Sequence, residues 1–176
     1  MPNPVIPGRV EKAVAGTVAS VLTKGRQSKT DYAELAGVLD SVCQGAKCEM
    51  TLLSNASAVL YDALDRLNWC GFYLLRDGLL LLGPFQGKVA CMEIAPGRGV
   101  CGTAFERNET VTVDDVHLFP GHIACDSASQ SEIVIPLRKK GIPYGVLDID
   151  SPYMSRFSAE DRDGLDQCAQ IIEKYL

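Results

Sequence analysis

The stretch Asn68-Trp69-Cys70-Gly71-Phe72-Tyr73-Leu74-Leu75-Arg76-Asp77-Gly78-Leu79-Leu80-Leu81-Leu82 decides the fold. Aromatic and aliphatic residues lie on both sides of Asp77-Gly78, a pair that accepts the positive backbone angles of a tight hairpin turn. The reading is two antiparallel strands, Asn68–Leu75 and Leu79–Leu82. Short runs at Val89–Ile94, Thr110–Val113, Glu132–Leu137 and Tyr144–Asp150 predict further strands, with Lys139-Lys140-Gly141 turning between the last two. A short helix is expected over Gly102–Glu106.

Longer helices flank these strands. Asp31 caps one that runs to about Val42, with Glu34 placed for a capping box. Leu53, Ala56, Leu60, Leu64 and Leu67 recur at spacings of three and four, the apolar stripe of a second. Ser158 opens a closing helix whose buried stripe is Leu165, Cys168, Ile172 and Tyr175. The fold class is therefore α+β, a central antiparallel sheet of five or six strands with helices packed against it. Residues 1–30, Pro-rich over 1–8 and linker-like at Gly25–Lys29, are set apart as an N-terminal extension before a domain spanning 31–176.

Composition narrows the function. With 47% hydrophobic and 22% charged residues, 176 residues bury a core without disulfides or metals. A net charge of −5 and no block of like charge argue against nucleic acid. No apolar run approaches the ~18–20 residues that span a bilayer. Met1-Pro2-Asn3-Pro4, followed by Glu11 and Lys12, lacks a signal-peptide pattern, so the cytoplasm is expected. The seven cysteines, Cys43, Cys48, Cys70, Cys91, Cys101, Cys125 and Cys168, include no Cys-x-x-Cys pair. An odd set of this kind is neither a disulfide framework nor a zinc ribbon; some are buried and some are candidates for reactive thiols.

The chemistry concentrates in Asp114–Gln130, a long non-periodic segment with apolar residues of its own, as a lid would have. It holds both histidines, His117 and His122, beside Cys125. Cys125 reads either as a small packing residue or as a thiolate nucleophile, and its loop setting favours the second. A zinc site from His122, Cys125 and either His117 or another cysteine is conceivable, but the spacing matches no common pattern. Asp148 and Asp150 share one strand face, opposite Leu147 and Ile149, and Glu132 opens the neighbouring strand. Such a face is either solvated or a recess where crowded carboxylates gain protons or bind an ammonium group. Trp69 and Tyr73 share a face with Gly71 between them, either as core or as an aromatic pocket wall with space left by the glycine. Gly83–Lys88 and Gly97–Gly102 read as turns that bring Cys91 and Cys101 near other loops, and fit no phosphate-binding fingerprint.

In order along the chain, Asn68-Trp69-Cys70-Gly71-Phe72-Tyr73, Leu82–Cys91, Gly99-Val100-Cys101-Gly102, Phe119–Asp126, Ser131-Glu132-Ile133-Val134 and Gly145–Asp150 resemble the free methionine-(R)-sulfoxide reductases, a GAF-domain family. The likeness runs from about residue 31 to the C-terminus, with Cys70 standing where a small non-cysteine residue is expected. It implies a GAF fold, helices on one side of the sheet and a small-ligand pocket on the other. It implies Cys125 as the thiol that attacks the sulfoxide, Cys91 as the resolving thiol and Cys101 as an auxiliary one. Glu132, Asp148 and Asp150 would line the pocket, with Trp69 and Tyr73 as its wall. No bound cofactor is implied; thioredoxin would regenerate a homodimeric enzyme. A sulfoxide oxygen leaves poorly unless protonated, so one of the three carboxyl groups would act as general acid. The alternative is a non-catalytic GAF sensor of a small ligand, which usually sits beside an output domain for which this length leaves no room.

Overall fold

Trp69–Arg76 (β1) and Leu79–Gly87 (β2) form the expected hairpin in a computed structural model that describes residues 30–123 and 125–176. The expectations placed on the extension, its Pro-rich start and Gly25–Lys29 lie outside the described residues, apart from Thr30. Asp77 and Gly78 turn the hairpin at φ 50° and 83°, angles the Asp-Gly pair accommodates with little strain. β2 runs on through Gly83–Gly87, which the sequence reads as a turn, because Gly71 pairs with Phe85 and Trp69 with Gly87. Gly83 permits that pairing: a Cβ there would lie 3.0 Å from the Phe72 carbonyl oxygen.

Glu93–Ile94 (β3), Val111–Val113 (β4), Ser131–Lys139 (β5) and Ile142–Ser151 (β6) complete a six-stranded sheet in the order β3-β2-β1-β6-β5-β4. Every pairing is antiparallel. The strand expected over Val89–Ile94 shrinks to its last two residues. Only Leu80↔Ile94 and Leu81↔Glu93 pair, and the preceding segment leaves the sheet with Val89 and Met92 exposed at 88% and 81%.

Helix α1 (Tyr32–Gln44) starts at Asp31, whose carboxylate accepts the Glu34 backbone N–H. Helix α2 (Glu49–Ala63) is shorter at its end than its apolar stripe suggests, since Leu64 turns to extended backbone and carries Leu67 outside the helix. Helix α3 (Gly99–Arg107) begins three residues before the expected start. Helix α4 (Ala159–Tyr175) opens with a full capping box between Ser158 and Asp161.

The sheet separates two clusters of buried side chains. On one face α1, α2 and α4 pack over Cys70, Phe72, Ile133, Ile135, Leu147 and Ile149. On the other, α3 and the loops cover Trp69, Tyr73, Val134 and Val146. Strand alternation makes this division, and it sends Glu132, Asp148 and Asp150 to the second face.

Candidate active site

β5 and β6 place Glu132 opposite Asp150, and β1 places Trp69 opposite Asp150 and Gly71 opposite Asp148. The three carboxylates thus converge on one face from two adjacent strands. They line a recess with Cys101 from α3 and with His122 and Cys125 from the Asp114–Gln130 segment. Glu132 and Asp148 are each only 6% exposed. Among the described residues neither Asp148 nor Asp150 has an ion-pair partner, and Glu132 has only His122 Nε2 at 4.0 Å. Burial holds that imidazole below its usual range, so it brings little positive charge at neutral pH.

Removing carboxylates from water favours their protonated form. Burial pushes Asp148 up to about 6, with contacts from Cys101 and Glu132 opposing the rise. Glu132 is raised well above its ordinary range by burial, then by the charge of Asp148. Asp150 is raised for the same two reasons, with Ser129 opposing. One oxygen of Asp148, Oδ1, is buried without a hydrogen-bond partner. A recess of this kind can hold a proton on a carboxyl group or accept a cation.

Cys91 and Cys125 are joined by a disulfide with their Cα atoms 5.3 Å apart, the pairing the family resemblance implies. Cys125 lies at the recess, while the segment bearing Cys91 is tied down from β1. The Trp69 indole N–H donates to the Lys88 carbonyl at 3.1 Å, and the Tyr73 hydroxyl donates to the Cys91 carbonyl at 3.0 Å. Trp69 and Tyr73 are 2% and 1% exposed and do not line the recess; Trp69 stacks on Tyr73 and on Phe85. The space expected beside Gly71 is filled: a Cβ there would lie 2.3 Å from Phe85 Cβ and 2.7 Å from Trp69 Cη2. In this disulfide form the aromatic cluster therefore serves as the mount of the Cys91 segment.

Cys101 keeps a free, buried thiol with Sγ 3.9 Å from Glu132 Oε1. Burial, then Asp148 and Glu132, push its pKa well up, so it is a thiol at neutral pH. The remaining free cysteines divide as the sequence suggests: Cys43, Cys70 and Cys168 are buried and Cys48 is exposed. The zinc grouping weighed from the sequence does not assemble, because Cys125 spends its sulfur on Cys91 and His117 lies outside the recess.

Among the polar residues that line the recess, Arg98, Asp126 and Ser129 escape sequence reasoning. Asp126 lines the recess beside Cys125; its carboxylate accepts the Ala128 backbone N–H and the Asn68 amide, each at 3.0 Å, and both lower its pKa. Asn68 also donates to Ser129 Oγ at 3.0 Å, fastening the loop to the start of β1. The signal available was an aspartate two residues before a backbone N–H it can cap, a pattern frequent in any loop.

A family model described as the GAF domain matches residues 34–176. The free methionine-R-sulfoxide reductase of Escherichia coli is 52% identical over 150 residues, covering 85% of this chain and 91% of that protein. The reduced form of fRMsr from Staphylococcus aureus superposes with a TM-score of 0.82 at 48% identity, over 85% of this chain and 97% of that one. The free methionine-R-sulfoxide reductase of Neisseria meningitidis, solved in complex with its substrate, gives 0.80 at 42%, over 84% and 92%.

Proposed function

The chain belongs to the free methionine-R-sulfoxide reductases of the GAF-domain family, and from that premise we propose that it reduces free methionine-R-sulfoxide to methionine with its own thiols. The observation that carries the reading is the convergence of Cys125, already bonded to Cys91, with the buried Glu132 and Asp148 and the half-buried Asp150 in one recess.

In the reduced enzyme the Cys125 thiolate attacks the sulfoxide sulfur while a carboxylic acid gives a proton to the departing oxygen. Glu132 has the strongest physical claim to that proton, being both buried and crowded by Asp148. The oxygen passes to the cysteine sulfur, methionine leaves, and Cys125 becomes a sulfenic acid. Cys91 attacks that sulfur, the S–O bond breaks, water leaves, and the disulfide forms. A dithiol then reduces the disulfide by exchange and is itself oxidised. Cys101 is an auxiliary thiol in this scheme.

Asp148 and Asp150 receive the substrate ammonium, which supplies the ion-pair partner that neither has among the described residues. Methionine within a peptide has no such group and would leave buried charge unmatched, at a cost of several kcal/mol. We assign Trp69 and Tyr73 to the thioether end of the site through the Cys91 segment they hold. Thioredoxin as the dithiol, a homodimeric state and a cytoplasmic setting complete the reading. Five free thiols among the described residues fit a reducing compartment.

Separated sulfoxide epimers, free and N-acetylated, offered with dithiothreitol, test the proposal directly. Turnover of the free R epimer alone is expected, and Cys125→Ser should abolish it. Binding without turnover would return the chain to the sensor reading, and full turnover by Cys125→Ser would remove the assigned nucleophile.

A further inference from the structure

Cys101 Sγ, a Glu132 oxygen and an Asp148 oxygen all lie within 4.8 Å of one another, and all three residues are buried. The reductase scheme gives Cys101 no obligatory step, and Asp148 Oδ1 is buried without a hydrogen-bond partner among the described residues. From that geometry we infer that the pocket is also a binding site for a borderline-soft divalent cation of the zinc class, held by Cys101, Glu132 and Asp148 in place of the substrate ammonium.

The donor set selects the metal. One thiolate with two carboxylates suits zinc or cobalt and disfavours magnesium and calcium, which take oxygen alone. Tetrahedral zinc with its usual bond lengths holds sulfur and oxygen donors about 3.5 Å apart. The Cys101–Glu132 separation is 3.9 Å and every pair of donors lies within 4.8 Å, so side-chain shifts of up to about 1–1.5 Å close the site. On binding, the Cys101 S–H bond breaks, the proton goes to solvent and the sulfur pair enters the metal–sulfur bond. A nitrogen donor stands at the rim, His122 Nε2 at 4.0 Å from Glu132. Three protein ligands leave a position for water or that nitrogen, the arrangement of an open zinc site. Metal binding rests on geometry alone; competition with substrate rests on the proposed function.

The test uses metal-stripped protein in its Cys91–Cys125 disulfide form with Cys48→Ser, which removes the exposed thiol without touching the pocket. Cobalt titration should show one equivalent bound with a near-ultraviolet thiolate-to-cobalt band, displaced by zinc. Cys101→Ser should remove the band and weaken zinc at least tenfold, and free methionine should lower zinc affinity. Cobalt bound without the band, or a band that survives Cys101→Ser, overturns the site. The band is read first with every pocket side chain in place, so a variant that does not fold leaves the result decisive. Zinc affinity indifferent to methionine overturns the competition. Absence of sulfoxide reduction in metal-free protein would sink the reductase reading and leave the cobalt result standing.

Discussion

The two faces of the sheet are built to opposite rules. Beneath α1, α2 and α4 the buried residues are almost all hydrocarbon, closed by Leu39, Leu53, Leu60, Ile149 and Ile172. Beneath α3 and the Asp114–Gln130 segment the same strands bury Glu132 and Asp148, whose Oδ1 has no partner, beside half-buried Asp150 and the buried Cys101 thiol of α3. One face supplies stability, and the other uses part of it to hold acids that bind protons more tightly than they would in water. Free energy and chemistry are therefore separable by strand parity.

That separation is open to attack from either side. The largest expected effect is on the acid face: Glu132→Gln should lower kcat/KM by roughly 10²-fold or more, with thermal stability at pH 8 unchanged or improved. Wild-type thermal stability at pH 8 restored only by the acid would blur the division. On the hydrocarbon face, Leu60→Ala should cost about 2–5 kcal/mol in denaturant unfolding while the remaining folded enzyme keeps its kcat/KM. A parallel loss of specific activity would mean that the faces communicate.

The pH dependence sharpens the contrast. Asp148 binds its proton more tightly folded than unfolded, so the folded state holds more protons between its ordinary range and about 6. Stability tied to that proton is present at low pH and is lost as pH rises through the window. Asp148→Asn should flatten this decline and raise Tm at pH 8 by about 2–4 °C or more, with substrate affinity weakened. A lower Tm across the whole pH range would instead make the carboxylate a net stabiliser. The smallest effect is expected at the mount of the Cys91 segment: Tyr73→Phe removes one hydrogen bond, worth about 1 kcal/mol. It should slow disulfide formation several-fold in stopped-flow single turnovers while the methionine burst keeps its rate. An equal slowing of both would place Tyr73 against the substrate.

The parts of this design that follow two-residue alternation were legible. Val146-Leu147-Asp148-Ile149-Asp150 declares its acid face by pattern alone, and Asp77-Gly78 declares the hairpin. Contacts fixed at a distance were not. Val89–Ile94 has strand composition, yet side-chain to backbone bonds from Trp69 and Tyr73 hold its start off the sheet. Gly83–Gly87 looks like a turn and is strand, because pairing with Trp69–Gly71 outweighs local propensity. The approach of Cys101 to Glu132 and Asp148 depends on how α3 seats, where a Cβ on Gly102 would lie 2.4 Å from the Ala95 carbonyl oxygen. No spacing in the chain announces that fit.

The turn at Lys140 and Gly141, with φ of 54° and 80°, joins β5 to β6 at the end of the ribbon remote from the acids. Its length, together with the register shift between Leu137 and Arg138, sets which residues meet along the rest of the ladder, including Glu132 with Asp150. One amino acid inserted into that solvent-exposed corner would ask β6 to slide by a single step, rotating both aspartates toward hydrocarbon and two aliphatic side chains toward the reacting sulfur. A bend remote from the recess thus helps to rule the alignment of the proposed site.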